Sequence, residues 1–252
     1  MHPEISIIAP FYNEADNIEP LVREIVAALR NEKRPYEIVL VDDCSTDETP
    51  ERLREVSRAE PRVRVLRHVR NQGQSAALWT GFRCSTSPII ATLDGDRQND
   101  PADFPALLAK LDEFDLVCGV RAKRRDSRLR LLSTAIARRA NRLALGSVFQ
   151  DPGCGLRVFK RPVLEGLFAF NGFHRFMAVL VKGGGWRVGE LPVNHRPRVA
   201  GVSKYGVWNR MGRGVFDLIG VAWFQRRRIV PAGLSTPESP GTPPGSGRGG
   251  KA

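Results

Sequence analysis

The sequence predicts an α/β fold, a doubly wound and mostly parallel sheet followed by a C-terminal amphipathic helix. Three observations lead there. Over the first 120 residues, short apolar runs alternate with segments of helical periodicity. The runs are continuous rather than alternately apolar and polar, as in strands covered on both faces. Three of them end in polar, acid-bearing segments, which in such a sheet gather at the carboxyl edge where ligands bind.

Taken in order, Ile5–Ala9 is the first strand candidate, and Ile18, Leu21, Val22, Ile25, Val26 and Leu29 then fall on one helical face. Tyr36–Val41 reads as the second strand. Thr49, Pro50 and Glu51 read as N-cap, first helical position and acidic first turn of the next helix. The strand candidates Val63–Leu66, Ile89–Leu93 and Leu116–Gly119 alternate with helical Gln74–Phe82 and Asp103–Leu111. After residue 120 the pattern changes. Leu129, Leu132, Ile136, Ala140 and Leu143 repeat at helical spacing, with Arg128, Arg138, Arg139 and Arg142 off the stripe. Val158-Phe159 and Val188–Val193 read as further strands, the second after the turn Gly183-Gly184-Gly185. Trp208, Met211, Val215, Leu218, Ile219 and Ala222 line one face of a last helix that runs into Arg226-Arg227-Arg228. From about Pro231 the chain is rich in Pro, Gly, Ser and Thr without periodicity, which predicts a disordered tail.

The 252 residues carry a formal charge of +12, unevenly placed. The first sixty hold fourteen acids and seven bases, a charge of −7, which leaves +19 for the remainder. Residues 121–142 alone hold nine Arg or Lys against the single acid Asp126. A basic second half should meet something anionic. No apolar run reaches the roughly 20 residues of a membrane span, and MHPEISIIAP has no basic leader, so neither an anchor nor a signal peptide is expected. Cys44, Cys84, Cys118 and Cys154 lie far apart with no C-x-x-C pair, which argues against a zinc site and fits a reduced cytosolic compartment.

The chemistry concentrates in Ile89-Ile90-Ala91-Thr92-Leu93-Asp94-Gly95-Asp96-Arg97-Gln98. Residues two apart on an extended chain point the same way, so Asp94 and Asp96 address one point beyond the strand end. Magnesium takes one or two protein carboxylates and fills its other positions with water and phosphate oxygens, so the pair fits a cation bridging to a diphosphate. The alternative is a polar turn in which Asp94 or Asp96 caps the helix after Pro101. The first strand ends in Ala9-Pro10-Phe11-Tyr12-Asn13-Glu14 and the second in Val41-Asp42-Asp43-Cys44-Ser45-Thr46-Asp47. Acids at these ends can accept from base or ribose hydroxyls. Ser45 with Glu48 also satisfies an S-x-x-E capping box, which accounts for part of that loop but not for Asp42 and Asp43.

The segments APFYNEADNI, VDDCSTDET, RNQGQSAALWTGF and DGDRQNDP, in this order, resemble family-2 inverting glycosyltransferases of the GT-A fold. VCGVRAKRRDS, DPGCGLRVFKR and RVAGVSKYG narrow the resemblance to polyprenyl-phosphate glycosyltransferases, the dolichol-phosphate mannosyltransferase-like group. It covers about residues 4–228. It implies that Pro10, Tyr12, Glu14, Asp43 and Gly73 shape the nucleotide pocket. Asp94, Asp96 and Gln98 would hold the metal, Mg2+ or Mn2+, and the donor diphosphate. Arg121 would face the donor phosphates, and Asp151 would act near the anomeric carbon. Arg198, Ser203 and Lys204 would bind the acceptor phosphate or the departing diphosphate. The implied organisation is a catalytic domain over 1–206, a basic membrane-surface helix over 207–228 and a tail over 229–252. The implied substrates are a nucleotide sugar, GDP-mannose by default with UDP-linked hexosamines or uronic acids next, and a polyprenyl phosphate.

Many relatives continue into transmembrane helices, whereas this sequence ends in the Pro/Gly tail. Attachment is therefore expected to be peripheral, at an anionic cytoplasmic membrane face, or borrowed from an integral membrane partner. The apolar stripes at 129–143 and 208–223 either pack on the sheet or dip into that interface. Two other classes compete. A nucleic-acid-binding protein would explain the charge, but no binding motif or aromatic interleaving is present, and nucleic acid is not expected as a partner. A dinucleotide-dependent oxidoreductase would need a G-x-G-x-x-G after the first strand, which is missing. Within the glycosyltransferase reading, a saccharide hydroxyl is the alternative acceptor.

Overall fold

A computed structural model describes residues 2–121, 139, 142–146, 149–197 and 207–229, with side chains in the last helix from residue 214 onward. Arg198, Ser203 and Lys204, the stripe residues Leu129, Leu132, Ile136 and Ala140, the side chains of Trp208 and Met211, and the tail lie outside the described residues.

The strands are β1 (Ile5–Phe11), β2 (Tyr36–Asp42), β3 (Val63–Arg67), β4 (Ile89–Thr92), β5 (Leu116–Arg121), β6 (Arg157–Lys160) and β7 (Val188–Val193). The helices are α1 (Ile18–Ala28), α2 (Thr49–Ala59), α3 (Gln74–Cys84), α4 (Phe104–Ala109), α5 (Met177–Gly183) and α6 (Val207–Arg227). Each strand candidate read from the sequence forms a strand, most of them one or two residues longer. The seven strands form one sheet in the order β3-β2-β1-β4-β6-β5-β7. Only β6 runs against its neighbours, pairing with β4 on one side and β5 on the other.

Continuous apolar strands need cover on both faces, and β1 shows it. Ile5, Ile7, Ala9 and Phe11 join Leu21, Ile25, Leu53 and Phe104 in one core cluster on the side of α1, α2 and α4. Ile8, on the other face, packs with Val39, Val41, Phe82, Phe159 and Met177 on the side of α3 and α5. The chain passes from β1 outward through β2 and β3, then returns to place β4 on the other side of β1. That reversal opens a crevice between β1 and β4 at the carboxyl edge, the ligand site of open α/β sheets.

Two capping expectations are corrected. Thr49 is the first residue of α2 rather than its cap, and the preceding Glu48 makes no side-chain cap. The S-x-x-E box does not form. The Ser45 hydroxyl accepts from Asn13 N (3.0 Å) and the Thr49 hydroxyl from Glu14 N (2.9 Å), so both tie the loop after β2 to the end of β1. The backbone donors beyond β1 outcompete the helix terminus because they would otherwise lack partners beside the crevice.

The last helix divides its apolar residues between two roles. Val221 is buried, and Leu218 and Phe224 pack against the second core cluster beside α5. Leu218 therefore turns inward, away from the face that the sequence pattern shared among Leu218, Val215 and Ile219. Val215, Phe216, Ile219 and Trp223 are 56%, 79%, 65% and 64% exposed and form the outward stripe. Arg228 is also corrected. It donates to Leu180 O at 2.5 Å and to Gly166 O at 2.7 Å, so it docks the helix end instead of standing free for a surface. Among the described residues, no helix is long and apolar enough to cross a membrane.

Candidate active site

The site is built on the end of β4. Leu93 is buried and donates to Ile8 O, which holds the chain against β1 for one residue past the strand. The turn Asp94-Gly95-Asp96 then crosses the end of β1. A Cβ at Gly95 would stand 2.7 Å from Pro10 O and 2.9 Å from the Phe11 ring, so only glycine lets the two strand ends close up. Pro10 is thereby placed directly beneath the acidic turn.

Asp94 is held from two directions. Gln74 Nε2 donates to Oδ1 at 2.7 Å and Asn99 Nδ2 to Oδ2 at 3.3 Å. Its carboxyl presses on the backbone of Gly155, where any Cβ would overlap it. Burial raises its pKa to about 6, and the Asp96 carboxylate adds to the rise, while Arg157 and Arg121 oppose it. Asp96 Oδ1 accepts from Gln98 N at 3.2 Å. The helix after Pro101 is capped by Asp100, whose Oδ1 accepts from Ala102 N, which removes capping as the role of either acid.

The other predicted residues that the structure describes lie at the same edge of the sheet. Asp43 is buried and accepts from Gln72 N (2.9 Å) and Gly73 N (2.7 Å), with His68 Nδ1 2.7 Å away. It thus holds the loop that ends in Gly73 (φ +86°), and the next residue, Gln74, reaches Asp94. Tyr12 and Glu14 follow β1, half-buried, with Glu14 Oε2 accepting from Asn17 Nδ2 at 2.6 Å. Gln98 Nε2 donates to Arg196 O at 3.5 Å. Arg121 and Asp151 form a two-pronged pair, Nε to Oδ2 at 2.6 Å and Nη2 to Oδ1 at 2.7 Å, with Asp151 buried. Such a fork fixes the guanidinium plane. Among the described residues, three non-glycine residues hold a positive φ, Asn13 (53°), Cys44 (61°) and Arg97 (58°), and each follows the end of β1, β2 or β4. Backbone strain gathered at one edge is characteristic of a functional site.

Sequence reasoning missed Gln74, Asn99, Arg157 and His68. Gln74 and Asn99 sit inside the motifs RNQGQS and DGDRQND, so proximity to the motif glycine and acids was a usable signal. Arg157 is buried at the start of β6 and donates to Pro152 O at 3.0 Å, and it too sits inside a resemblance segment, DPGCGLRVFKR. His68 also contacts Thr80 Oγ1 at 2.8 Å, bridging β3 and α3. Burial lifts Cys118 to about 12 and Cys154 to about 11, so neither thiol is a nucleophile near neutral pH.

The residues present fit a divalent cation. Asp94 and Asp96 are the carboxylates at this turn that could offer oxygen donors, and among the described residues no group of three or more His, Cys, Asp or Glu is gathered to hold a metal. Burial raises Asp94 and the Asp96 carboxylate adds repulsion, both of which a cation would offset, and one or two carboxylates suffice when a diphosphate supplies further oxygens.

A mostly parallel sheet with an acidic turn at its switch point and flanking helices is the architecture of a GT-A glycosyltransferase. A mannosyltransferase from Pyrobaculum calidifontis, solved with GDP-Man and Mn2+, superposes with a TM-score of 0.64 at 25% identity, covering 92% of this chain and 66% of that one. The family model for glycosyl transferase family 2 matches residues 6–168, and the chain belongs to that family. It is 36% identical over 234 residues to a dodecaprenyl-phosphate galacturonate synthase of Rhizobium johnstonii, covering 90% of this chain and 69% of the relative. It is equally identical over 219 residues to an undecaprenyl-phosphate 4-deoxy-4-formamido-L-arabinose transferase of Klebsiella pneumoniae, covering 86% of this chain and 66% of the relative. The chain thus spans about two thirds of the length of these relatives.

Proposed function

We propose that this chain transfers a sugar from a nucleotide-sugar donor to a polyprenyl phosphate, with inversion, at the cytoplasmic face of a membrane. The observation that carries the proposal is the Asp94-Gly95-Asp96 turn seated on the end of β1 beside the Arg121–Asp151 pair, in a chain 36% identical to polyprenyl-phosphate sugar transferases.

A phosphate monoester has a second pKa of about 6 and is mostly dianionic at neutral pH, so it attacks without a general base. The protein's task is to position the donor and to stabilise the leaving nucleoside diphosphate. Asp94 and Asp96 would hold Mg2+ or Mn2+, which when bound neutralises charge on the diphosphate. Pro10, Tyr12, Glu14, Asp43 and Gly73 border the base and ribose, and Gln98 lies on the diphosphate side. Asp151 aligns Arg121, whose charge faces the same side as Asp94, while Arg198, Ser203 and Lys204 would take the acceptor phosphate or the departing diphosphate. The two-pronged pair supports an orienting role for Asp151 beside the anomeric carbon.

The outward stripe of α6 supports membrane seating. At 100° per residue, Val215, Phe216, Ile219 and Trp223 share one side with the exposed Arg226 and Arg227 at the helix end. Apolar residues entering the interface with arginines at the anionic headgroups is the pattern of a peripheral helix. The sugar is sought first in GDP-mannose, then in the uronic-acid and amino-sugar groups for which the relatives are named. Incubating the protein with undecaprenyl phosphate and a panel of labelled nucleotide sugars, with Mn2+ or with chelator, tests the proposal. Chelator-sensitive label in the lipid phase is expected, and label released only as free sugar under every condition refutes the acceptor.

A further inference from the structure

The acidic turn is braced from outside its own strand. Glu24, in the middle of α1, is where two arginines from distant parts of the chain meet. Its Oε1 accepts from Arg97 Nη2 at 2.5 Å and its Oε2 from Arg196 Nη1 at 2.7 Å, across sequence separations of 73 and 172 residues. Arg196 gives its other terminal nitrogen to Asp100 Oδ1 at 2.6 Å. Two acids and two guanidinium groups balance.

Both arms end at the site. Arg97 follows Asp96 directly and holds φ at +58°, a conformation costly for a residue with a Cβ, so the surroundings must enforce it. Arg196 N donates to Gln98 O at 2.8 Å, and Asn99 pairs with His195 in an antiparallel bridge. Asn99 in turn donates to Asp94 Oδ2. Glu24 thus supports Asp96 through one arginine and the back of Asp94 through the other. An ordinary surface pair behaves differently. Glu19 and Arg23 pair within that same helix and are 69% and 74% exposed, whereas the Glu24, Arg97 and Arg196 side chains are 26%, 21% and 35% exposed. Shielded, branched pairs of this kind fix geometry in a way that isolated exposed pairs do not.

We propose that Glu24 is a positioning residue for the two-carboxylate site, setting its affinity for the divalent cation and the donor diphosphate while touching neither. This rests on the metal-assisted transfer proposed above. The test is titration of the full chain with Mn2+ in the presence of UDP, and separately of GDP, with bound Mn2+ followed by electron paramagnetic resonance. Glu24→Gln should weaken Mn2+ binding about tenfold, the loss typical of groups that orient metal ligands. Glu24→Asp should recover part of it. The donor KM should rise in parallel while kcat at saturating donor and metal stays within about twofold, as when a uniform binding contribution is lost. Glu19→Gln should change neither quantity. Arg97→Gln, which removes one arm only, carries the same expectation should Glu24→Gln fail to fold. Wild-type Mn2+ affinity in the folded Glu24→Gln or Arg97→Gln protein, or a fall in kcat alone, overturns the role of Glu24. Failure of the wild type to bind Mn2+ with either nucleotide overturns the metal-assisted reading itself, and this inference with it.

Discussion

Replacing Gly155 by alanine is the sharpest perturbation the structure offers. A Cβ at this position would stand 2.5 Å from both Cγ and Oδ1 of Asp94 and nearer still to Oδ2, against about 3.5–4 Å for carbon atoms in ordinary contact. The carboxylate must therefore move by about 1 Å. It is pinned by Gln74 and Asn99, and Gly155 is pinned by the Thr92 hydroxyl, which donates to its carbonyl at 2.8 Å. Forced overpacking of this kind costs about 1–3 kcal/mol, and each kcal/mol lowers the melting temperature by roughly 2–4 °C in a domain of this size. A 1 Å displacement of a catalytic group costs about a hundredfold in rate. Gly153→Ala is the matched control. Its Cβ would lie 3.5 Å from Arg121 Nη2 and 3.9 Å from Asp151 Oδ1, ordinary contacts, so stability should change by no more than about 0.5 kcal/mol. The assays are transfer of labelled sugar to undecaprenyl phosphate and thermal unfolding of each variant. Wild-type transfer by Gly155→Ala would show that Asp94 either slides freely or takes no part. An equal loss in Gly153→Ala would place the sensitivity in the loop as a whole rather than in the carboxylate.

Three further outcomes are expected. Asp94→Ala and Asp96→Ala should each abolish transfer while leaving the fold nearly intact, with Asp96→Asn almost as damaging, and more than a few per cent residual activity at saturating magnesium would count against the metal assignment. In chelator, the pH dependence of stability should carry the signature of Asp94, whose pKa rises from 3.8 to about 6 on folding. Between those values the folded protein keeps a proton that the unfolded chain has lost, so stability falls as pH rises from about 4 to about 6, by roughly 3 kcal/mol for a two-unit shift. Asp94→Asn should flatten that part of the curve, and parallel melting profiles for wild type and variant would refute the burial argument. Arg226→Gln with Arg227→Gln should release the protein from anionic liposomes, each arginine contributing about 1 kcal/mol near such a surface, while hydrolysis of the soluble donor continues. Arg228 is left unchanged in this test because it docks α6, and continued co-sedimentation of the double variant would mean that the outward stripe serves something other than a membrane.

The sequence by itself determined the seven strands, the parallel character of the sheet and the placement of Asp94, Asp96, Asp43 and Pro10 at strand ends. Those features are local. A continuous apolar run must be covered on both faces, and an acid one residue past such a run must lie at the edge of the sheet. What surrounds each acid was decided only in three dimensions. The insertion of β6 against its neighbours brings Gly155 and Arg157 beside Asp94 from sixty residues away, and antiparallel insertion has no periodicity that distinguishes it from any other short apolar run. Ser45 and Glu48 matched a capping box, yet the Ser45 hydroxyl went to Asn13, because a turn motif states which donors are near in sequence but not which are near in space. The stripe on α6 showed the same limit. Helical spacing marks a face that shuns water, and only the packing of Leu218 and Val221 beside α5, with Phe216 and Trp223 left outward, decided how much of that face the protein covers itself. Glu24 carried no signal at all, since an ion pair across 172 residues exists only once the sheet has brought α1 and the end of β7 together.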